Sequence, residues 1–538
     1  MKPACAAVLI CLAIGCSAGP RESQSQGLGS HRWKVTTQSK DAQASFDDGL
    51  AYLYAFNHDE AIRSFKKAVE FDPTCAMAWW GLACANGPHI NYPLVDEEHA
   101  KAAWKAVSNA RALGARGIEV DLIEAQAKRY SVNPNADRAP LDKAYAEAMR
   151  EVWKRHPRQA DVGALFAESM MDLRPWDLWQ ADGSPHPGTD EILATLETVM
   201  QLDPNHPLAL HLYIHAVEAS PNPEKGDGAA NRLRDLTPGL GHLVHMPSHI
   251  DVRRGRWKEA IVANQKAVSS DAAYRKRSPR QGFYHVYMSH NRHMLAFASM
   301  MRGQSAQATT AIDELIAVIP EDFIQSSAPL IDGFYSMPYE MHLRFGRWDA
   351  MLAEKEPRDV FPLTWAIYHY ARATALAAKG DVAAARVEQR AFEERRAAIP
   401  KDAFFGNNTA SDLAGVAEKL LEGELLYREG RDDDALAALR EAVKREDALR
   451  YDEPPDWIQP TRHILGAALL DAGRAAEAET VYLDDLKRLP ENGWSLIGLA
   501  RSLEAQDKDG SDCRRRFANA WADSDMITTS SCLCLPGK

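Results

Sequence analysis

An all-α solenoid of helical hairpins stacked side by side is the fold class this sequence predicts, and three observations predict it. Small and large residues recur at fixed intervals in at least three stretches, as helix pairs that pack on one another require. Weaker copies of the same interval fill the middle of the chain. The composition, with 538 residues of which 46% are hydrophobic and 26% charged, supports a large packed core. The only long apolar run is at the extreme N-terminus, so nothing in the body reads as a membrane span.

The elements are justified in chain order. Residues 1–15 read as a secretory signal peptide, with Lys2, an apolar run from Ala4 to Ile14, and then Gly15 and Cys16. The stretch resembles a bacterial lipoprotein signal, with "AIGC" as the lipobox. That resemblance implies lipidation of Cys16, Ser17 as an outer-membrane sorting residue, and an outer-membrane lipoprotein facing the periplasm or the surface. The membrane would then be touched only through the lipid. Residues 16–43 are expected to be a flexible tether. Loss of the signal removes Cys5 and Cys11. Lipidation of Cys16 leaves Cys75, Cys84, Cys513, Cys532 and Cys534, an odd number for an oxidising compartment.

Residues 44–525 carry the repeats. Gly49, Tyr52, Ala61, Phe65, Ala68 and Pro73 match the spacing of a tetratricopeptide repeat (TPR). Gly423, Gly430, Ala435, Leu439 and Ala442 repeat it, as do Gly466, Gly473, Ala478, Tyr482 and Pro490. Weaker copies run through Gly255, Ala260 and Ala267, and through Gly303, Ala308, Ile312 and Pro320. Longer loops such as "GPHINYPLVDEEH" and "RPWDLWQADGSPHPGTDE" interrupt the register. Residues 526–538 form a tail containing Cys532 and Cys534.

As a whole the chain resembles a group of bacterial secreted or lipid-anchored proteins with degenerate TPR repeats, through "DPTCAMAWWGLA", "HLYIHAVEAS" and "GHLVHMPSHI". The resemblance covers nearly all of the mature chain and implies a repeat fold without an established activity.

A solenoid of this class ordinarily holds a protein or peptide in its concave groove, and a non-enzymatic binding scaffold is one expectation for this chain. The formal net charge of -12 argues against nucleic acid as a partner. The histidines argue for something further. Half of the 18 lie between residues 201 and 300, within the histidine-rich central repeats at 205–300. His242, His245 and His249 occupy the second, fifth and ninth positions of one repeat, and His290 and His293 the second and fifth of the next. His211, His215 and Glu218 share one helical face upstream.

Seven imidazoles and one carboxylate on adjacent inner helices form a transition-metal constellation. The set is large enough for two ions, or for one ion with supporting histidines. Glu-x-x-His pairs and His-Glu-x-x-His are both absent, which disfavours a di-iron carboxylate or zincin site. The imidazole-rich set in an extracytoplasmic setting favours copper over zinc, with Met246 and Met294 nearby but better read as core. Redox chemistry is expected over hydrolysis; in a hydrolytic reaction Glu218 or a non-ligating histidine would be the general base. Cys532 and Cys534 are candidate soft ligands, since Cys-x-Cys is awkward as a disulfide with itself. Pro247 should break the helix carrying His242, His245 and His249 and turn His249 relative to His245. His285, His206, His156, His186, His58 and His463 read as structural or loop residues.

Overall fold

The computed structural model describes residues 27–279 and 281–534. The candidate signal peptide and Cys16 lie outside the described residues. From Lys40 onward helix follows helix to Ala520, interrupted only by loops and by one two-stranded ribbon, Phe404–Phe405 against Asn408–Thr409. Consecutive helices pack as antiparallel neighbours, so the expected all-α solenoid is what the chain forms.

Repeat packing follows from the small residues. Phe65, on the helix His58–Phe71, lies against Gly49 of the helix before it and Gly81 of the helix after it. A Cβ at Gly49 would stand 2.7 Å from the ring, and one at Gly81 would stand 2.4 Å from it. Tyr482 repeats the arrangement between Gly466 and Gly498, where added Cβ atoms would meet the ring at 2.4 and 2.2 Å. The aromatic side chain thus fills the groove between neighbouring hairpins, which close only because the flanking helices present no Cβ there.

Residues 27–39, expected as tether, instead lie against the first repeats. Leu28 and Val35 are buried, and Trp33 packs edge-on against Trp80 with ring centroids 5.8 Å apart. His31 Nε2 sits 2.8 Å from Asp161 Oδ1. Burial of these apolar side chains outweighs the polar residues between them. The first helix, Lys40–Tyr54, starts ahead of residue 44 because Ser39 caps it, accepting from the Ala42 N–H at 3.1 Å.

The superhelix closes on itself. Trp257 Nε1 donates to the Pro490 carbonyl and Trp494 Nε1 to the Met300 carbonyl, both at 2.8 Å, which binds the last repeats to the central ones. Arg302 pairs with Asp523 at 2.9 Å. On the other side, Tyr274 of the long helix Trp257–Arg277 donates to Glu60 at 3.0 Å, joining the centre to the first repeat. The apolar core accordingly forms two bodies, one ending at Met288 and the other starting at Val252. The central helices belong to both, and their inner face is covered rather than open.

One large cavity of about 900 Å³ remains, between the loop around Trp176 and the segment 446–462. Among the described residues no helix is long and apolar enough to cross a membrane.

Candidate metal centre

The helix Pro207–Glu218 delivers the first candidate ligands. Pro207 occupies its first turn, where no N–H is missed, and His206 caps it by accepting from the Ala209 N–H at 3.2 Å. His206, expected in a loop, is therefore a buried cap, and its Nε2 lies 3.2 Å from Asp161 Oδ1. One helical face then carries His211, His215 and Glu218 inward, all buried.

The next candidates sit on Gly241–His245 and Pro247–Arg253, two short helices where an unbroken helix would be the alternative. The hydrogen-bond ladder is interrupted at Pro247, which has no N–H to give, while Met246 between the two segments keeps helical backbone angles, φ -49° and ψ -38°. The His249 N–H reaches only to the Met246 carbonyl, at 3.2 Å, tightening the turn. Gly241 starts the pair because a Cβ there would lie 2.0 Å from Asp271 Oδ1. His290 comes from the helix Tyr284–Met301, held in place where Asn291 Nδ2 donates to Asp271 Oδ2 at 2.8 Å.

Six of the seven predicted histidines converge. His211 and His242 face each other with Nε2 atoms 3.1 Å apart. His245 Nε2 stands 2.7 Å from His249 Nε2 and 3.0 Å from His290 Nε2. Two trios result, His211 with His215 and His242, and His245 with His249 and His290; within each, the donor atoms lie within 4.8 Å of one another. His290 is partly exposed; the other five are buried.

His293 does not join them. It points away, its ring 5.9 Å from Phe334 and 6.3 Å from Phe405, although the same three-residue spacing keeps His242 and His245 together at the centre. Burial alone, with no charged neighbour, lowers its pKa to about 3. Cys532 and Cys534 are also not ligands. They are bonded to each other and line a small pocket with Arg344, Trp348 and Tyr370. Met246 and Met294 are fully buried in the apolar core.

The partners on the outer nitrogens fix which nitrogen faces inward. Glu218 accepts two Nδ1–H bonds through its two oxygens, from His215 at 2.7 Å and from His249 at 2.6 Å. Asn264 Oδ1 accepts from His245 Nδ1 at 2.7 Å; its Nδ2 donates to the Ala260 carbonyl, which sets the amide orientation. The Tyr54 carbonyl accepts from His211 Nδ1 at 3.0 Å. Four imidazoles therefore carry their proton on Nδ1 and turn an Nε2 lone pair inward.

Electrostatics follow from burial. Burial alone would raise the Glu218 carboxyl, but the His249 and His215 imidazoles and their hydrogen bonds hold it down to about 2. Burial drives His211, His242 and His245 well below the ordinary histidine value, with neighbouring imidazoles adding to the shift. His249 is raised, because Glu218 outweighs its burial.

Sequence reasoning missed the cover over this centre. The Tyr451 hydroxyl lies 3.4 Å from Glu218 Oε2 and 3.1 Å from Glu453 Oε2, and Arg253 Nη1 donates to the Glu218 carbonyl at 2.7 Å. Burial pushes the Glu453 carboxyl up to about 8. Trp176 sets its ring against His215 at 5.0 Å. Its backbone lies in the left-handed region, φ 57°, an unfavourable place for a bulky residue. The large cavity reaches the centre at His215 and Glu218. The signal available in the sequence was the proline-bearing "YDEPPDW" segment between two helices, which is irregular for a repeat linker.

No known family pattern and no curated protein sequence matches the chain. Solved structures that align along most of its length are remote. A human IFIT1 dimer with m7Gppp-AAAA is 13% identical over 91% of this chain and 92% of that one, at a TM-score of 0.35. The Cut9–Hcn1 hetero-tetramer of the APC/C is 13% identical over 87% and 78%, at 0.33. Yeast Tom70 is 10% identical over 90% and 92%, at 0.29. Overlaps this loose carry no argument about site or activity, and the helical-repeat assignment rests on the chain's own packing.

Proposed function

We propose that this protein is a metalloprotein whose closed helical-repeat solenoid holds a histidine-rich transition-metal centre, with copper favoured over zinc. The observation that carries the reading is the inward convergence of Nε2 lone pairs whose outer nitrogens are already committed. His245 and His249 both give their Nδ1 proton away, yet their Nε2 atoms stand 2.7 Å apart. Two lone pairs that close repel unless a cation lies between or beside them. A proton on His249 would satisfy that one contact. It would still leave His215 Nε2 buried without a partner. A metal ion satisfies the lone pair that a proton leaves, and an Nδ1–H held by carboxylate, amide or carbonyl is how proteins orient imidazole ligands.

Copper is favoured by the all-imidazole donor set and by its place in the affinity order. The chemistry that fits is redox conversion of a small molecule entering through the cavity at His215. Glu218 acts as a positioning residue rather than a general base, since both its oxygens hold imidazoles. A location outside the cytosol, with lipid on Cys16, belongs to the same proposal. It is supported by the N-terminal sequence and by the Cys532–Cys534 bond. The binding of a protein or peptide has the repeat fold behind it.

Elemental analysis of protein purified without a histidine tag and reconstituted with copper or zinc tests the reading. Stoichiometric metal that is lost in His245→Ala supports it; a chain that retains only traces of either metal overturns it.

A further inference from the structure

Resting on that reading, we infer that the centre is dinuclear, with one ion held by His211, His215 and His242 and a second by His245, His249 and His290. Taken as imidazoles alone, the six histidines fall into two groups with no shared member, each bringing three donor atoms within 4.8 Å of one another, and a third group, His215 with Glu218 and His249, joins them through the carboxylate. Donor atoms that share one ion at about 2.0 to 2.1 Å lie no more than about 4.2 Å apart, so each trio needs only a small side-chain adjustment to hold an ion. A single ion cannot take six bulky rings at that distance within a four-coordinate shell, which is the preference of imidazole-bound copper and zinc.

The two groups are also neighbours. Rings of the first trio pack on rings of the second, His215 on His249 at 5.4 Å and His242 on His245 at 5.8 Å between centroids. Glu218 ties them together, giving one oxygen to His215 of the first trio and the other to His249 of the second. One carboxylate thus sets the tautomer of a ligand in each half, and the ions sit close enough to sense each other.

The trios differ in surroundings. The cavity wall includes His215 and no histidine of the second trio. His215 also carries the unpartnered Nε2 and the Trp176 ring beside it. The first ion is therefore the one that a small molecule entering from the cavity meets, and the second is a partner behind it.

The test is a titration of the full mature chain with cupric ion, followed by measurement of bound copper and of the electron paramagnetic resonance spectrum. The parent is expected to bind two copper ions per chain. Its spectrum should depart from that of isolated cupric ions by dipolar broadening or loss of intensity. His211→Gln and His290→Gln, chosen to keep polarity and bulk, should each bind one ion and show an ordinary isolated signal. Circular dichroism of both variants establishes that they are folded. Saturation of the parent at a single ion overturns the dinuclear assignment while leaving the metal centre standing. A parent spectrum equal to the sum of the two variants also overturns it, since the ions would then be independent. Failure to bind any copper overturns the underlying metal reading as well.

Discussion

Replacing Glu218 by Gln isolates the orienting carboxylate from the ligands themselves. The side chain is fully buried and accepts from two Nδ1–H groups at 2.7 and 2.6 Å. An amide of the same shape offers one acceptor oxygen, and its NH2 would confront the second Nδ1–H. One of the two histidines must then move its proton to Nε2, which removes that lone pair from the centre. Loss of such an outer partner lowers metal affinity by about 10- to 100-fold, equivalent to about 1.4 to 2.7 kcal/mol. The metal-free chain also loses a hydrogen bond to a charged group, worth about 1.5 to 3 kcal/mol. The assay is competitive copper titration against a chelator of known affinity, paired with denaturant unfolding with and without copper. Glu218→Gln should bind copper more weakly and be less stable when metal-free. Affinity within about twofold of the parent, against the 10- to 100-fold expected, would refute the orienting role.

Other expectations follow from the same geometry. His293→Phe should leave copper stoichiometry unchanged and hold or raise stability, because the imidazole sits among Phe334 and Phe405 with its Nε2 unpartnered; loss of copper by this variant would contradict the placement. Gly498→Ala puts a Cβ 2.2 Å from Tyr482 and should cost about 1 to 3 kcal/mol despite the better helix propensity of alanine, measurable as a shift in urea midpoint. Burial pushes the Glu340 carboxyl up to about 7 from an ordinary 4.5, so the folded chain holds a proton that the unfolded chain has released. Stability should therefore fall as pH rises between those two values, by up to about 3 kcal/mol from this group, and then level off. Glu340→Gln should flatten that slope in unfolding experiments at pH 5 and pH 8. Cys532→Ser with Cys534→Ser should leave copper content unchanged while lowering stability, since the pair packs against Arg344 and Trp348 and away from the histidines.

The repeats were legible because their signal is local. Gly49 and Phe65, or Gly466 and Tyr482, are short distances apart in sequence and meet in the same hairpin, so spacing alone reveals the contact. The histidines were legible for a related reason: helical spacing put His211 and His215 on one face, and repeat register placed His290 beside this set, although it paired His290 with His242 where the structure brings it to His245. What spacing could not resolve was direction within the register, and His293 shows it. It lies against Phe334 and Phe405, although three-residue spacing brings His242 and His245 to one centre on their own helix. Closure of the superhelix was not legible either. Tyr451 and Glu218 meet across more than two hundred residues, and only the accumulated rotation of every intervening hairpin decides whether they do. The Cys532–Cys534 bond is not legible in a two-residue separation, and the burial of both cysteines depends on helices far away in sequence.

Closure has a further consequence for how this architecture can change over time. In an open repeat array each hairpin touches only its neighbours, so units can be gained or lost at little cost. Here Trp257 must find the Pro490 carbonyl, Trp494 the Met300 carbonyl, and Tyr451 the Glu218 carboxylate. Adding or deleting one hairpin between any of these partners would rotate them out of reach and open the interior to water. The number of repeats is thereby a fixed quantity, as in a ring whose last segment has to meet the first, and variation is confined to loops and outer faces.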